Sequence, residues 1–218
     1  MARPKGGYAL PDGTKVPGVT TILNRFKESG GLIYWAWSQG KAGKDFREER
    51  DKAADAGTLA HSLVEATLQG EPLDPLLAAA QPQVRDAGWK GYQNWLTWVK
   101  QTKLEVKPWE QPLVCEHYRY GGTPDAFLTL DGKTVVGDWK TSSGASPYLE
   151  HLMQVAAYRH LFEDAGHQVA EGYHLCIFSR EAGDFHHHYF SELAQAWEMF
   201  RHLREAFDLG KALEKRIG

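Results

Sequence analysis

Cysteine is scarce in this sequence, with Cys115 and Cys176 the two representatives in a chain of 218 residues. They lie far apart, each in an apolar, strand-like run, so we expect buried thiols and no disulfide framework. Long hydrophobic runs are also missing: no stretch reaches the roughly 18 apolar residues of a membrane span, and no apolar signal run follows the first residues. We therefore expect a protein of a reducing compartment, the cytoplasm, with no membrane contact.

An excess of positive charge is missing as well. The chain has 25 Lys and Arg against 28 Asp and Glu, with a net charge of −3 at pH 7. No global positive field therefore attracts nucleic acid, and any DNA binding has to depend on a local basic groove. With 42% hydrophobic and 24% charged residues, the composition is that of a globular protein long enough to bury a core.

The most informative stretch predicts a β-hairpin. Two short apolar or β-branched runs, 126–130 and 134–136, are separated by Asp131-Gly132, the strongest short-range hairpin signal. A two-residue turn determines the register, and continuing the pairing outward sets Asp125 opposite Asp138. Directly opposed residues have Cβ atoms about 4.5–5.5 Å apart. The hairpin therefore brings two carboxylates side by side at its open end.

Two adjacent carboxylates repel each other, and a divalent cation would remove that penalty. Because strand side chains alternate, Asp138 and Lys140 share one face while Trp139 anchors the strand from the other. An exposed hairpin with ordinary surface charges is the alternative. The apolar flanks and Pro124, at a strand start where its missing N–H is tolerated, favour a site.

These residues resemble a known family. Pro124-Asp125 followed by Asp138-Trp139-Lys140 is similar to the signature of the PD-(D/E)xK nucleases. The segment Gly57–His61 resembles the helical histidine motif of the RecB-type exonuclease branch, and Gln154–Tyr158 resembles its QxxxY motif. The segment Pro17–Leu23 is similar to phage exonucleases and to the mitochondrial genome maintenance exonuclease.

The resemblance implies an α/β fold with a restriction-endonuclease-like core, a mixed central β-sheet flanked by helices, and an N-terminal helical elaboration. A single nuclease domain would span 1–218. Its mainly helical part would occupy 1–108, the sheet and the QxxxY helix 109–190, and a C-terminal helix 191–218.

Local patterns outside the hairpin predict the remaining elements. They are a small hairpin or arm at 1–18, a short helix packed by aromatic residues at 32–39, one or two helices at 41–69, a linker at 71–82, helices at 84–99 and 147–164, strands at 169–179 and 185–190, and a final helix at 191–215.

The resemblance also implies the roles of the site residues. Asp125, Asp138 and His61 would hold Mg²⁺ or Mn²⁺ together with the backbone carbonyl of Trp139. Lys140 would orient or deprotonate the attacking water, so the catalytic residues would be Asp125, Asp138 and Lys140. Some relatives carry an iron–sulfur cluster with four cysteine ligands, which this chain lacks, so we expect no such cluster.

Contacts to DNA are expected after the hairpin. By resemblance, Gln154 and Tyr158 face the site and touch the phosphate backbone or brace the catalytic lysine. Thr141 and Ser142 open a loop rich in hydroxyls and glycine, which can offer N–H and O–H groups to a phosphate. A plain connector between two elements has a similar composition.

A further metal ligand depends on the strand before the hairpin. The run 111–120 is strand-like, and Gly121-Gly122 then reads as a two-residue turn. With that turn, Tyr118 faces Asp125, and Glu116 lies diagonally on the same side. Glu116 is thus a candidate ligand for a metal or a water molecule.

The function implied is metal-dependent hydrolysis of phosphodiester bonds in DNA by an exonuclease of recombination, repair or replication. Its partners would be single-stranded DNA or duplex ends and a recombination or replication protein, in the cytoplasm of a bacterium or a phage-infected host. Three alternatives are a structure-specific endonuclease, a non-catalytic DNA-binding accessory protein on the same fold, and a metal hydrolase with another substrate.

Overall fold

A computed structural model describes residues 4–102, 105–108, 111–130, 133–169 and 173–217. The helices are α1 Val19–Arg25, α2 Gly30–Lys41, α3 Phe46–Gln69, α4 Asp74–Ala79, α5 Pro82–Thr102, α6 Leu149–Asp164 and α7 Ala194–Ile217. The strands are β1 Tyr8–Ala9, β2 Lys15–Val16, β3 Glu105–Pro108, β4 Leu113–Cys115, β5 Tyr120–Gly122, β6 Ala126–Leu130, β7 Lys133–Ser142, β8 Tyr173–Ser179 and β9 Phe185–Phe190.

The main sheet is mixed and has the strand order β3-β6-β7-β8-β9. Strands β7 and β8 are parallel, and the other neighbours in this sheet are antiparallel. A parallel pair needs a crossover connection, which helix α6 provides between β7 and β8. Helices cover both faces of the sheet, so the fold is α/β, as predicted.

Alternation along the central strands produces two hydrophobic cores. Val136 of β7 faces α6, where it packs with the fully buried Phe162. Trp139 lies on the opposite face, with its ring centroid 6.3 Å from that of Trp95 and 6.4 Å from that of Trp98, both on α5. The expectation that Trp139 anchors β7 from behind the site is confirmed.

The two cysteines are free and buried, as predicted. Cys115 ends β4 and packs in the core beneath α6, whereas Cys176 lies in β8 on the Trp139 face. Among the described residues, no helix has both the length and the apolar character that crossing a membrane requires.

The predicted turn at Gly121-Gly122 is wrong, because the chain turns at residues 116–119 and both glycines lie within β5. A Cβ atom on Gly121 would lie 2.5 Å from Cγ of Tyr8, and one on Gly122 would lie 2.6 Å from Cε1 of Tyr158. The glycines allow two aromatic rings to pack against the strand backbone, a requirement unrelated to turn formation.

The N-terminal half contains further differences. Helix α2 starts at Gly30 and has no buried residue, and Trp37 is 55% exposed, so the expected packing by aromatic residues is wrong. The predicted linker at 71–82 contains α4, and β3 falls within the stretch 1–108 that was expected to be mainly helical. By contrast, the small hairpin near the N-terminus is present as β1 and β2.

Candidate active site

The central hairpin has the predicted register. Strands β6 and β7 pair with Ala126 opposite Gly137, so the next positions outward are Asp125 and Asp138. The Asp131-Gly132 turn lies outside the described residues. The backbone N–H of Trp139 donates a hydrogen bond of 3.1 Å to Oδ2 of Asp125. This bond ties the first carboxylate to the strand that carries the second.

Asp138 and Lys140 form a close ion pair beside Asp125. Oδ2 of Asp138 lies 2.6 Å from Nζ of Lys140, and Asp138 is 1% exposed. Burial raises the pKa of Asp138 to about 6, although the Lys140 ammonium opposes the shift. Burial on its own would lower the pKa of Lys140, but the carboxylates of Asp138 and Asp125 outweigh it, so the pKa is raised. The ammonium therefore stays protonated at neutral pH.

His61 reaches the carboxylates from helix α3. Its Nδ1 atom lies 3.7 Å from Oδ1 of Asp125. Burial, followed by the charge of Lys140, lowers the pKa of His61 to about 3. The imidazole is therefore neutral at physiological pH, which is the form that binds metal ions.

The spacing of Gly57 and His61 has a packing reason. Residues four apart share a helix face, and a Cβ atom on Gly57 would lie 2.8 Å from Oγ1 of Thr141 at the end of β7. On the other side of Thr141, a Cβ atom on Gly91 of α5 would lie 3.2 Å from its Cγ2 atom. Two glycines thus enclose the branched side chain of Thr141, and α3 approaches β7 closely enough for His61 to reach Asp125.

These groups open into a cleft of about 560 Å³. Its lining contains most of the predicted site residues together with several that sequence reasoning missed: Tyr8, Thr20, Ala53, Ala54, Gly57, Thr58, His61, Ser62, Glu65, Thr123, Asp125, Lys140, Thr141, Gln154, Tyr158 and Arg180. Asp138 lies beneath this surface, behind Lys140. The structure therefore brings His61, Asp125, Asp138 and Lys140 together.

The QxxxY pair lies on the wall formed by α6. Nε2 of Gln154 donates a hydrogen bond of 3.0 Å to the hydroxyl of Tyr158, which is buried. Burial raises the pKa of Tyr158, and the carboxylates of Asp138 and Asp125 raise it further. A neutral phenol held next to both carboxylates supports the predicted position of this motif at the site.

Two predicted residues lie elsewhere. Ser142 is absent from the cleft lining, and its Oγ atom accepts a hydrogen bond of 3.1 Å from the N–H of Gly144, as in an ordinary connector. Glu116 is exposed in the turn at 116–119 and does not line the cleft. Its proposed position required a turn at the glycine pair. Tyr118 packs 5.2 Å from Trp197, between ring centroids, instead of facing Asp125.

The residues missed by sequence reasoning follow two regularities. Thr58 and Ser62 recur at helical spacing with His61, which was predicted, so a longer polar stripe on α3 could have been recognised around the histidine. Arg180 follows β8, which is parallel to β7, and adjacent parallel strands end at the same edge of a sheet. The nearness of Arg180 to the end of β7 becomes visible only once the pairing of β7 with β8 is known.

The donors at this site suit a divalent cation chemically. Oδ1 of Asp138 is a buried carboxylate oxygen without a hydrogen-bond partner among the described residues. A neutral imidazole, from His61, and a second carboxylate, from Asp125, lie beside it. Within the described chain, no three His, Cys, Asp or Glu side chains are arranged as a ready-made metal site. The Asp138 carboxylate is engaged with Lys140 instead.

Comparison with known proteins adds little to this description. No family model matches the chain, and no curated protein matches it. Structural similarity is found to 18 chains of known structure. One of them, from the crystal structure of SSO0001, is 18% identical in sequence with a TM-score of 0.38, and the match covers 70% of this chain and 72% of the other. That degree of likeness identifies neither a fold family nor a function.

Proposed function

We propose that this protein is a metal-dependent deoxyribonuclease of the PD-(D/E)xK type, with a restriction-endonuclease-like core. The supporting observation is that His61, Asp125 and Lys140 line one cleft, with Asp138 buried beneath its surface and paired with Lys140. A buried carboxylate with an unsatisfied oxygen next to an ammonium costs folding free energy, and such arrangements cluster at functional sites. Hydrolysis of a phosphodiester uses both charges.

The metal ligands in this proposal are His61, Asp125, Asp138 and the backbone carbonyl of Trp139, and the ion is Mg²⁺ or Mn²⁺. The histidine favours Mn²⁺ slightly, since Mg²⁺ prefers oxygen ligands. When bound, such an ion lowers the pKa of water and neutralises charge on the phosphate. Lys140 orients the attacking water and stabilises the negative charge that develops on the phosphate oxygens.

Exonuclease activity on single-stranded DNA or duplex ends is the form of the reaction that we favour, from the resemblance of the motifs. Gln154 and Thr141 line the cleft where they can contact the phosphate backbone, and Tyr158 braces the wall next to the carboxylates. Free, buried cysteines favour a reducing compartment, so we place the protein in the cytoplasm of a bacterium or of a phage-infected host, with a recombination or replication protein as its partner.

The direct test is degradation of end-labelled single-stranded and duplex DNA, with Mg²⁺, with Mn²⁺ and with a chelator. We expect metal-dependent release of short products, and a loss of about 10²–10³-fold for Lys140→Ala, the usual effect of removing one group that stabilises charge in the transition state. Lys100→Ala, an exposed lysine on α5, is the control and should cut normally.

Two results would decide against this function. Cleavage by Lys140→Ala at the wild-type rate would exclude the role of the lysine and with it the mechanism. DNA binding by the wild-type protein without cleavage under any metal would instead support the non-catalytic accessory protein.

A further inference from the structure

Arg180 is held at the mouth of the cleft by both its backbone and its side chain. It follows directly after β8, and its N–H donates a hydrogen bond of 3.2 Å to the carbonyl of Ser142, at the end of β7. Nη1 of its guanidinium donates a bond of 3.0 Å to the carbonyl of Ala53 on α3. The side chain is therefore fixed between the sheet edge and α3, and it lines the cleft.

Helix α5 also holds the turn that carries Arg180, through hydrogen bonds from Asn94. Asn94 of α5 is one of the few buried polar residues, and its Nδ2 atom donates to the carbonyls of Ser179, at 2.9 Å, and Ala182, at 3.0 Å. These two carbonyls flank Arg180 in sequence. Oγ of Ser179 also accepts a bond of 2.9 Å from the N–H of Ala182. A polar residue buried in this way indicates that the position of Arg180 is set before any ligand arrives.

No carboxylate of the described residues forms an ion pair with Arg180. By contrast Lys140, another cation of the described cleft lining, is paired with Asp138. Burial lowers the pKa of Arg180, and the charge of Glu181 offsets only part of this effect. A half-buried guanidinium with unused N–H donors is suited to bind an anion, and its planar fork matches phosphate.

Arg180 contacts α3 at a different point from the carboxylate cluster. Its partner Ala53 and the site residue His61 lie eight residues apart on the same helix face, a distance of about 12 Å along the axis. The hydroxyls of Thr58 and Ser62 line the cleft along this path. The points at which α3 contacts Arg180 and the carboxylate cluster are therefore about two helical turns apart.

From these contacts we infer that Arg180 forms a second phosphate-binding subsite, which holds a backbone phosphate of a nucleic-acid strand away from the reacting one. The inference builds on the proposed function, because it names the substrate feature recognised at the same cleft. A fixed contact at one distance from the cutting site sets the register of the strand, so the subsite positions the bond that is to be cut.

Binding measured without hydrolysis tests the subsite separately from catalysis. A fluorescent single-stranded oligonucleotide is titrated with protein in the presence of a chelator, over a series of salt concentrations. Arg180→Gln should weaken binding about tenfold, the factor expected for a hydrogen bond to a charged group. The plot of log K against log salt has a negative slope, and in Arg180→Gln its magnitude should be smaller by about 0.7, the value for one phosphate contact on a single strand.

Two further variants serve as controls. Arg180→Lys keeps the charge without the planar fork and should fall between the wild type and Arg180→Gln. Arg201→Gln removes an arginine on α7 that pairs with Glu198 and should leave binding and the salt slope unchanged.

A scan with methylphosphonate linkages, which replace one charged phosphate at a time, is made on the wild-type protein, with Arg180→Lys as the comparison if Arg180→Gln does not fold. One linkage other than the cleaved one should weaken wild-type binding about tenfold when neutral, with no further loss in Arg180→Gln.

The outcomes separate the two proposals. Equal effects at every linkage, or an unchanged salt slope in Arg180→Gln, would overturn the subsite even if the enzyme cuts DNA. A single sensitive linkage that depends on Arg180 would support the subsite even if nothing is cleaved, in which case the nuclease proposal fails alone. Absence of both DNA binding and DNA cleavage by the wild type, with metal as well as with chelator, would overturn both.

Discussion

Substitution of Gly57 by alanine tests how α3 is placed against β7, the strand that carries Asp138 and Lys140. The new Cβ atom would lie 2.8 Å from Oγ1 of Thr141, about 0.6 Å short of ordinary contact. Thr141 has little freedom to relieve the clash, because it is β-branched and its other branch, Cγ2, packs close to the backbone of Gly91 on α5. We therefore expect α3 to move away from β7.

The expected cost follows from that displacement. Overpacking of a tight site destabilises by about 1–3 kcal/mol, whereas alanine gains roughly 0.5–1 kcal/mol over glycine inside a helix. Mid-range values leave a net loss of about 1 kcal/mol, which lowers Tm by about 2–4 °C for a chain of this size. Because His61 moves with α3, a shift approaching 1 Å should reduce cleavage by up to about 10²-fold.

The assay is a double-mutant cycle with Thr141→Ser, measured by DNA cleavage and by thermal unfolding. Serine has one γ atom and can turn it away from position 57, so the double variant should regain most of the activity and Tm that Gly57→Ala loses. Gly40→Ala on α2 is the matched control, since its Cβ atom would meet nothing within 4 Å.

Wild-type cleavage and Tm in Gly57→Ala would refute the packing explanation of the motif. Lack of coupling between positions 57 and 141, with each single change acting independently, would refute it as well.

Three other predictions concern the core, the pH dependence of stability and the metal. Trp98→Ala removes a fully buried ring that packs against Trp139 and should cost about 3–5 kcal/mol in urea unfolding; a loss below 1 kcal/mol would contradict this. Burial, followed by the charge of Lys140, lowers the pKa of His151 from 6.5 to about 4. Because the folded state disfavours protonation of this ring, its contribution to stability is complete above pH 6.5 and is lost as pH falls towards 4. The loss is roughly 3 kcal/mol at most for this partly exposed ring. Between neutral pH and pH 5, the free energy of urea unfolding should therefore fall less for His151→Asn than for the wild type. An equal fall in the two proteins would show that His151 is not the group responsible. Mn²⁺ at about 100 times its Kd should stabilise the wild type by about 2.7 kcal/mol and Asp125→Asn far less, as measured by thermal shift; equal stabilisation would exclude Asp125 as a ligand.

Local signals were sufficient to predict the hairpin and its register. The turn dipeptide and the alternation of side chains operate over a few residues, and they place Asp125 opposite Asp138 with Trp139 behind. The helix at 84–99 and the strand at 185–190 follow from periodicity for the same reason.

The errors come from contacts that are distant in sequence. The glycine pair at 121–122 has the composition of a turn, but Tyr8 and Tyr158 require the absence of a side chain there. Arg180 approaches α3 only because β8 pairs in parallel with β7, and no local pattern around Arg180 contains that information. Exposure of Trp37 is likewise a tertiary property that helical periodicity cannot reveal.

The hydrogen bond between Arg180 and Ala53 joins positions 127 residues apart and has a consequence for biosynthesis. A growing chain can form the hairpin as soon as its two strands have left the ribosome, because the partners are neighbours. The mouth of the cleft stays unfinished until residue 180 has emerged and closed onto the helix made long before. During translation Asp125 and Asp138 can therefore come together before Arg180 is in place, and the cleft is completed together with the last strands of the sheet.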